Sequence, residues 1–190
     1  VRKEGIPINI RNTNRPEDKG TFIVESTCRK PKYVITGIAG KKGFCSINIE
    51  KSMMNSEVGF GRKVLQVFED QGISFEHVPS GIDDLTVILR QNQLDHEREQ
   101  IIVNRIKNEL DADEVKVEHN LSLIMIVGEG MRSNVGTMAR ASRALADKGI
   151  NIEMINQGSS EVSMMFGVKE AQEKLAVQAL YEAFFTELPV

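Results

Sequence analysis

The chain has 190 residues, 41% hydrophobic and 27% charged, so it can bury a core at a length that allows one or two compact domains. A net charge of −3, with no Lys/Arg block longer than two residues, offers no basic stripe for a phosphate backbone and argues against nucleic acid as a partner. No apolar run approaches a membrane span, the start VRKEGIPINIRN has no signal-peptide core, and Cys28 and Cys45 form neither a CxxC pair nor a zinc pattern, so a reducing cytoplasmic setting and no membrane contact are expected.

In chain order, two short β-like runs at 6–10 and 21–24 flank the turn-forming stretch NTNRPEDKGT and lead into polar STCRKPK, so residues 1–32 read as a connector. The β-branched run YVITGIA, residues 33–39, predicts a strand, and GIAGKKG reads as a strand-to-strand turn before a second strand at 44–51. A helix over 58–71 follows, with Val58, Gly61, Leu65 and Phe68 on its inward stripe and a stop at Gly72. Strands are predicted at 73–78 and 85–90 around the turn PSGIDD, then a helix at 95–110 with Ile102, Ile106 and Leu110 at helical spacing, and a strand at 114–119. Beyond it come a strand at 121–127, a helix at 135–148 with Val135, Met138, Ala139, Ser142, Leu145 and Ala146 inward, strands at 151–155 and 162–168, and a last helix at 170–185.

These elements are duplicated. VGFGRKVLQVFEDQGISFEHV, residues 58–78, recurs as VGTMARASRALADKGINIEMI, residues 135–155, at a constant offset of 77 positions. In that register Ile47, Ile49, Met54, Ser56, Val58, Gly59, Asp70, Gly72, Ile73, Glu76 and Gly81 all meet an identical residue, far above the roughly three matches expected by chance. The period exceeds a solenoid unit, so each copy is a small domain. The first copy reads βαββαβ, a ferredoxin-like unit. The second lacks its fourth strand, because only TELPV follows Phe185, while the strand at 33–39 has no sheet of its own. Hence an α+β fold is expected with the first unit (41–119) inserted into the second (33–40 plus 120–186).

The chemistry points to the loop before each repeated helix. A helix start carries unpaired N–H groups that suit a carboxylate, and Gly59 and Gly136 either let a ligand approach the backbone or only permit close packing of helix on sheet. The polar neighbours are Asn55 and Glu57 in one copy and Ser133 and Asn134 in the other. Glu76, with Asp83 and Asp84 of the PSGIDD turn, is the candidate set to surround an ammonium group, with Asn151 and Gln157 as polar counterparts in the second copy. His77, His96 and His119 lack metal-ligand spacing, GIAGKKG lacks the P-loop pattern, and no Ser/His/Asp or Cys/His set stands out, so neither metal, cofactor nor catalytic residue is expected in this chain.

The motifs VITGIAGKKGFCSINIE, NSEVGFGRKVLQVFEDQGISFEHVPSGIDDLTVIL and MRSNVGTMARASRALADKGINIEMINQGSSEVSMMFGV closely resemble the C-terminal regulatory region of the aspartokinase family, built of two ACT domains. GIPINIRNTNRPEDKGT resembles the end of that family's catalytic domain and its connector. The resemblance implies a pair of ACT units that binds a free amino acid, lysine and/or threonine, forms a homodimer through the ACT units, and inhibits ATP-dependent aspartate phosphorylation by a catalytic domain. ATP and Mg belong to that catalytic domain, and the present chain is expected to be inactive alone. Carried over by position, the effector residues are Met54, Asn55, Glu57, Gly59, Phe60, Gly61, Ser74, Phe75, Glu76, Asp83 and Asp84. Asn134, Gly136, Asn151, Ile152 and Gln157 are the second-unit candidates. GISFEHVPSGIDD is closer to a lysine-type pocket, while in the second copy Met138 stands for Gly61 and residues 159–161 replace IDD.

Other classes fit less well. A free-standing ACT-type sensor is the alternative, set back by the GIPINIRNT lead-in. An RNA-recognition module shares βαββαβ but needs displayed aromatic pairs and a basic surface, whereas this chain is 5% aromatic and acidic.

Overall fold

The structure, a computed structural model, describes residues 1–24 and 33–186. Cys28 and the polar segment expected at 26–32 lie outside the described residues, as do residues 187–190 of the TELPV end. The chain divides into two compact bodies, Val1–Lys32 and Tyr33–Val190.

The first body is a hairpin of β1 (Ile8–Ile10) and β2 (Thr21–Ile23), paired antiparallel with Ile8 opposite Ile23. Its loop closes on Arg11, whose guanidinium donates to the carbonyls of Pro16 and Asp18, the latter at 2.9 and 3.0 Å. Ile8, Ile10, Phe22, Ile23 and Val24 are all exposed within this body.

The second body contains β3 (Gly37–Glu50), α1 (Phe60–Asp70), β4 (Phe75–His77), β5 (Asp84–Arg90), α2 (His96–Glu109), β6 (Glu114–Val127), α3 (Thr137–Asp147), β7 (Met154–Asn156), β8 (Ser163–Lys169) and α4 (Glu173–Tyr181). A π-helical turn, Glu182–Thr186, extends α4. The strands form one antiparallel sheet in the order β4-β5-β3-β6-β8-β7.

Of the expected strand 33–39 only residues 37–39 are strand, and they run without a break into the expected 44–51 as the single strand Gly37–Glu50, so GIAGKKG is not a turn. Only Gly43 departs from extended backbone, at φ 84°, and it makes a bulge where the register slips between Lys42 and Phe44. The same happens on β6, which unites the expected 114–119 and 121–127 through Asn120 at φ 58°. Gln91 grips that bulge: its Oε1 accepts the Asn120 amide at 2.7 Å and its Nε2 donates to Asn120 Oδ1 at 3.3 Å. Each long strand therefore serves both copies. Residues 37–42 pair with 122–127, which in turn pair with β8, while 44–50 pair with β5 and 46–50 with 114–118. The first ferredoxin-like unit is thus inserted into the second, and the two share a continuous sheet rather than having one each.

Alternation along the strands sends Cys45, Ile47, Ile49, Leu85, Val87 and Leu89 toward α1 and α2, and Ile124, Ile126, Met164, Phe166 and Val168 toward α3 and α4. The pairing register puts both sets on one face, so all four helices share it. The helix stripes differ from the expected ones. Helix α1 starts only after Gly59, so Val58 projects into solvent and the buried positions are Phe60, Val64, Val67 and Phe68. In α3 they are Thr137, Ala141 and Leu145, while Val135, Ala139 and Ala146 are exposed. Each fully buried Val or Phe of such a stripe is worth about 1.5–3 kcal/mol of transfer free energy.

On the opposite face Phe44, Ile88, Leu121, Leu123 and Met165 form a third buried cluster, to which no helix among the described residues contributes a side chain. The sheet covers it by curling. Its two edge strands approach, with His77 Nδ1 of β4 and Asn156 Nδ2 of β7 3.4 Å apart.

Candidate functional site

The loop from β3 to α1 is pinned at three points. Lys51, only 15% exposed, donates to the carbonyls of Leu110 (2.6 Å) and Asp111 (3.2 Å) and lies 5.4 Å from the Phe60 ring centroid. Its ammonium also meets Glu57 at 3.2 Å, and Lys63 reaches the other oxygen of that carboxylate at 2.6 Å. Hydrogen bonds from Lys63 and then Lys51 hold the Glu57 carboxyl below the usual carboxylate range. Met53 adopts φ 61°, a conformation costly for a side chain, and its amide is satisfied by Asp83 Oδ1 at 2.9 Å. Asn55 donates its amide to the Ile82 carbonyl at 3.2 Å, which locks the PSGIDD turn beside the loop.

Gly59 caps α1 at φ 82° and Gly136 caps α3 at φ 92°, and no heavy atom lies within 4 Å of where a Cβ would sit at either. This removes the packing explanation: helix and sheet do not crowd these glycines. Backbone conformation requires them, and the space over each helix start is open. The first-turn amides there lack intrahelical acceptors, as at every helix N-terminus.

In the second copy the corresponding loop frames a cavity of about 270 Å³ lined by Met131, Ser133, Asn134, Gly136, Thr137, Gln157 and Glu161, among others. Ser133 stands at φ 56°, and Glu161 Oε2 accepts its amide at 2.7 Å, the same device as Asp83 on Met53. Thr137 Oγ1 donates to Asn134 Oδ1 at 3.0 Å. The structure therefore brings Asn134, Gly136 and Gln157 together. Asn151 instead donates to Glu153 at 3.0 Å, and Ile152 packs against the core.

The first-copy candidates divide into three places. Met54 and Phe60 are buried in the core under α1, with Asn55, Glu57, Gly59, Gly61 and Asp83 around the loop and the helix start. At edge strand β4, Ser74 bonds Gln93 through its amide and hydroxyl, both at 3.0 Å, Phe75 is half exposed, and Glu76 is paired with Arg90 at 2.7 Å. Asp84 lies on the helix-free face. Since Phe75 sits opposite Leu89 while Asp84 starts β5, Glu76 and the Asp83/Asp84 pair are about 15 Å apart along that strand. Within one chain the three acids do not surround a single ammonium group, because strand register separates residues that are close in sequence.

Sequence reasoning named Ser133 as a polar neighbour but missed the roles of Lys51, Thr137 and Glu161. A signal existed for Thr137, which directly follows the repeated glycine, but Glu161 reaches its loop only through the strand pairing. Among the described residues no group of three or more His, Cys, Asp or Glu is placed to hold a metal, and no helix is long and apolar enough to cross a membrane.

Comparison with known proteins then bears on this geometry. An ACT domain model matches residues 124–184. Aspartokinase 3 of Bacillus subtilis is 59% identical over 183 residues, covering 96% of this chain and 40% of that protein. Among solved structures, Clostridium acetobutylicum aspartate kinase superimposes with a TM-score of 0.89 at 43% identity, over 97% of this chain and 42% of that one. A chain from the crystal structure of aspartokinase alpha and beta subunits gives a TM-score of 0.68 at 27% identity, over 78% of this chain and 97% of its own. The chain thus spans about two fifths of the full-length relatives it matches.

Proposed function

Since the chain belongs to the aspartokinase family, as a regulatory region of tandem ACT units, we propose that it senses a free amino acid and thereby restrains an ATP-dependent aspartate kinase. The effector in this reading is lysine and/or threonine. In this reading residues 41–119 make up one ACT unit and 33–40 with 120–186 the other, with the crossover on β3 at Gly43, since Lys41 and Lys42 pair with Leu123 and Ser122. The observation that carries the proposal is the repeated helix start: a glycine held at positive φ, open space above it, and an amino-acid-sized cavity beside the second one. Helix amides suit the α-carboxylate of such a ligand, and Gln157 and Asn134 offer hydrogen bonds to its remaining polar groups.

The apolar surface around the first helix start supports a second copy as partner. Val58 is 96% exposed, Met53 and Ile82 are both 69% exposed, and Phe75 flanks edge strand β4. A homodimer through these edges would cover them, and it could place Glu76 of one copy near the loop of the other. The exposed apolar hairpin β1–β2 is the part assigned to the catalytic domain, which would hold ATP and Mg. A thermal-shift screen of the twenty amino acids tests the reading: a ligand at a hundred times its dissociation constant adds about 2.7 kcal/mol to stability. The expected result is a rise with lysine or threonine and little with the rest. A flat response to all twenty would remove the sensing assignment.

A further inference from the structure

A further cavity lies away from both helix starts, on the helix-free face where the curled sheet brings the two ACT units together. It measures about 470 Å³, a usual size for a small-molecule site and too small for a protein segment. Both units build it. Ile88 comes from the first, and Leu121, Leu123 and Met154 from the second, giving an apolar floor. The walls are acidic: Asp84, Glu118 and Glu153 face one lining cation, Lys116.

The ion pairs decide what is left over. Lys116 is taken by Glu114 at 2.8 Å and Glu50 at 3.3 Å. Lys169 pairs with Glu118 and stands 3.9 Å from Glu153. Among the described residues, no hydrogen-bond or ion-pair partner meets the carboxylate of Asp84, which is half-buried. Gly81 leaves room for it, since a Cβ there would meet Asp84 Oδ1. A lone carboxylate above an apolar floor repels phosphates and simple carboxylates and attracts a cation with a hydrocarbon body.

We propose that this cavity is a binding site for a small molecule bearing a protonated amine on an apolar body, with Asp84 as its counter-ion. The cavity is separate from both helix starts, so the proposal gives Asp84, one of the effector residues carried over by resemblance, a different place and role. A ligand here would bridge Ile88 and Met154 and so fix the relative set of the two ACT units. The amine could belong to a free alkylamine or to the side chain of a basic amino acid.

The test is a titration of the 190-residue chain, labelled at Ile, Leu and Met methyls, with n-pentylamine, lysine and n-pentanol in parallel. The methyl resonances of Ile88, Leu121, Leu123 and Met154 should move with n-pentylamine and respond far less to n-pentanol. Asp84→Asn should weaken the amine at least about tenfold. Movement with lysine as well would assign the amine to a basic amino acid, and movement with n-pentylamine alone to a free amine. Unmoved methyls, an equal response to n-pentanol, or undiminished binding by Asp84→Asn would overturn the proposal, and the parent titration decides by itself if that variant unfolds.

Discussion

At Gly59 and Gly136 the backbone, not the packing, demands glycine, so the two positions separate stability from sensing. Alanine at either should cost about 1–2 kcal/mol in urea unfolding, the penalty of a side chain in the left-handed region. A cost near zero would mean that the helix caps relax to another geometry. Cys45 is buried, and burial pushes its thiol up to about 12. It should resist iodoacetamide at about pH 8 in the folded chain and react once guanidinium unfolds it, as peptide mass spectrometry would show, since only the thiolate attacks. Glu57 works in the opposite direction. With its folded-state carboxyl held low by Lys63 and Lys51, its contribution is complete above the ordinary carboxylate pKa and is lost as the pH falls through the depressed value. Glu57→Gln should therefore flatten the fall in Tm below about pH 4.5, and calorimetry that finds the same acid slope in both proteins would remove that contribution.

Among the elements, β3 and β6 matter most, because each passes from one ACT unit to the other through a single left-handed residue. Both Asn120→Gly and Asn120→Val lose the side-chain bond from Gln91 and keep the backbone one, so Asn120→Val should be less stable than Asn120→Gly by about 1–2 kcal/mol from φ alone. Equal stability of the two variants would deny the bulge its strict geometry. The helices, their order and the insertion of one unit into the other were legible, because the repeat supplies a frame and residues 33–39 were left without a sheet. The turn misread at GIAGKKG was not legible: glycine and lysine punctuate turns locally, and only β6 running alongside makes them strand. The stripes were misread for a related reason. Val58 and Val135 keep helical spacing but precede the glycine caps, and at 96% and 99% exposure they are surface residues. Of the candidate site, the two helix-start loops could be found from the repetition, while the separation of Glu76 from Asp83 and Asp84 depends on register that sequence proximity conceals.

For the whole molecule, a shared sheet means that neither ACT unit can unfold while leaving the other its central strands. Calorimetry of residues 33–186 within the chain should show one cooperative transition, and two separated transitions would contradict the shared sheet. Sedimentation should find a species near twice 21.2 kDa if the exposed edges and Val58 surface are covered by a second copy, and a monomer at tens of micromolar, with and without amino acid, would count against that assembly. The central claim is that an amino acid binds where the repeated helices begin. Hydrogen-exchange mass spectrometry with saturating lysine, and separately threonine, tests it most directly. The account predicts slower exchange in peptides covering residues 53–62, residues 131–138, or both, with little change in the β1–β2 hairpin. Unaltered exchange at both helix starts with either amino acid would contradict it.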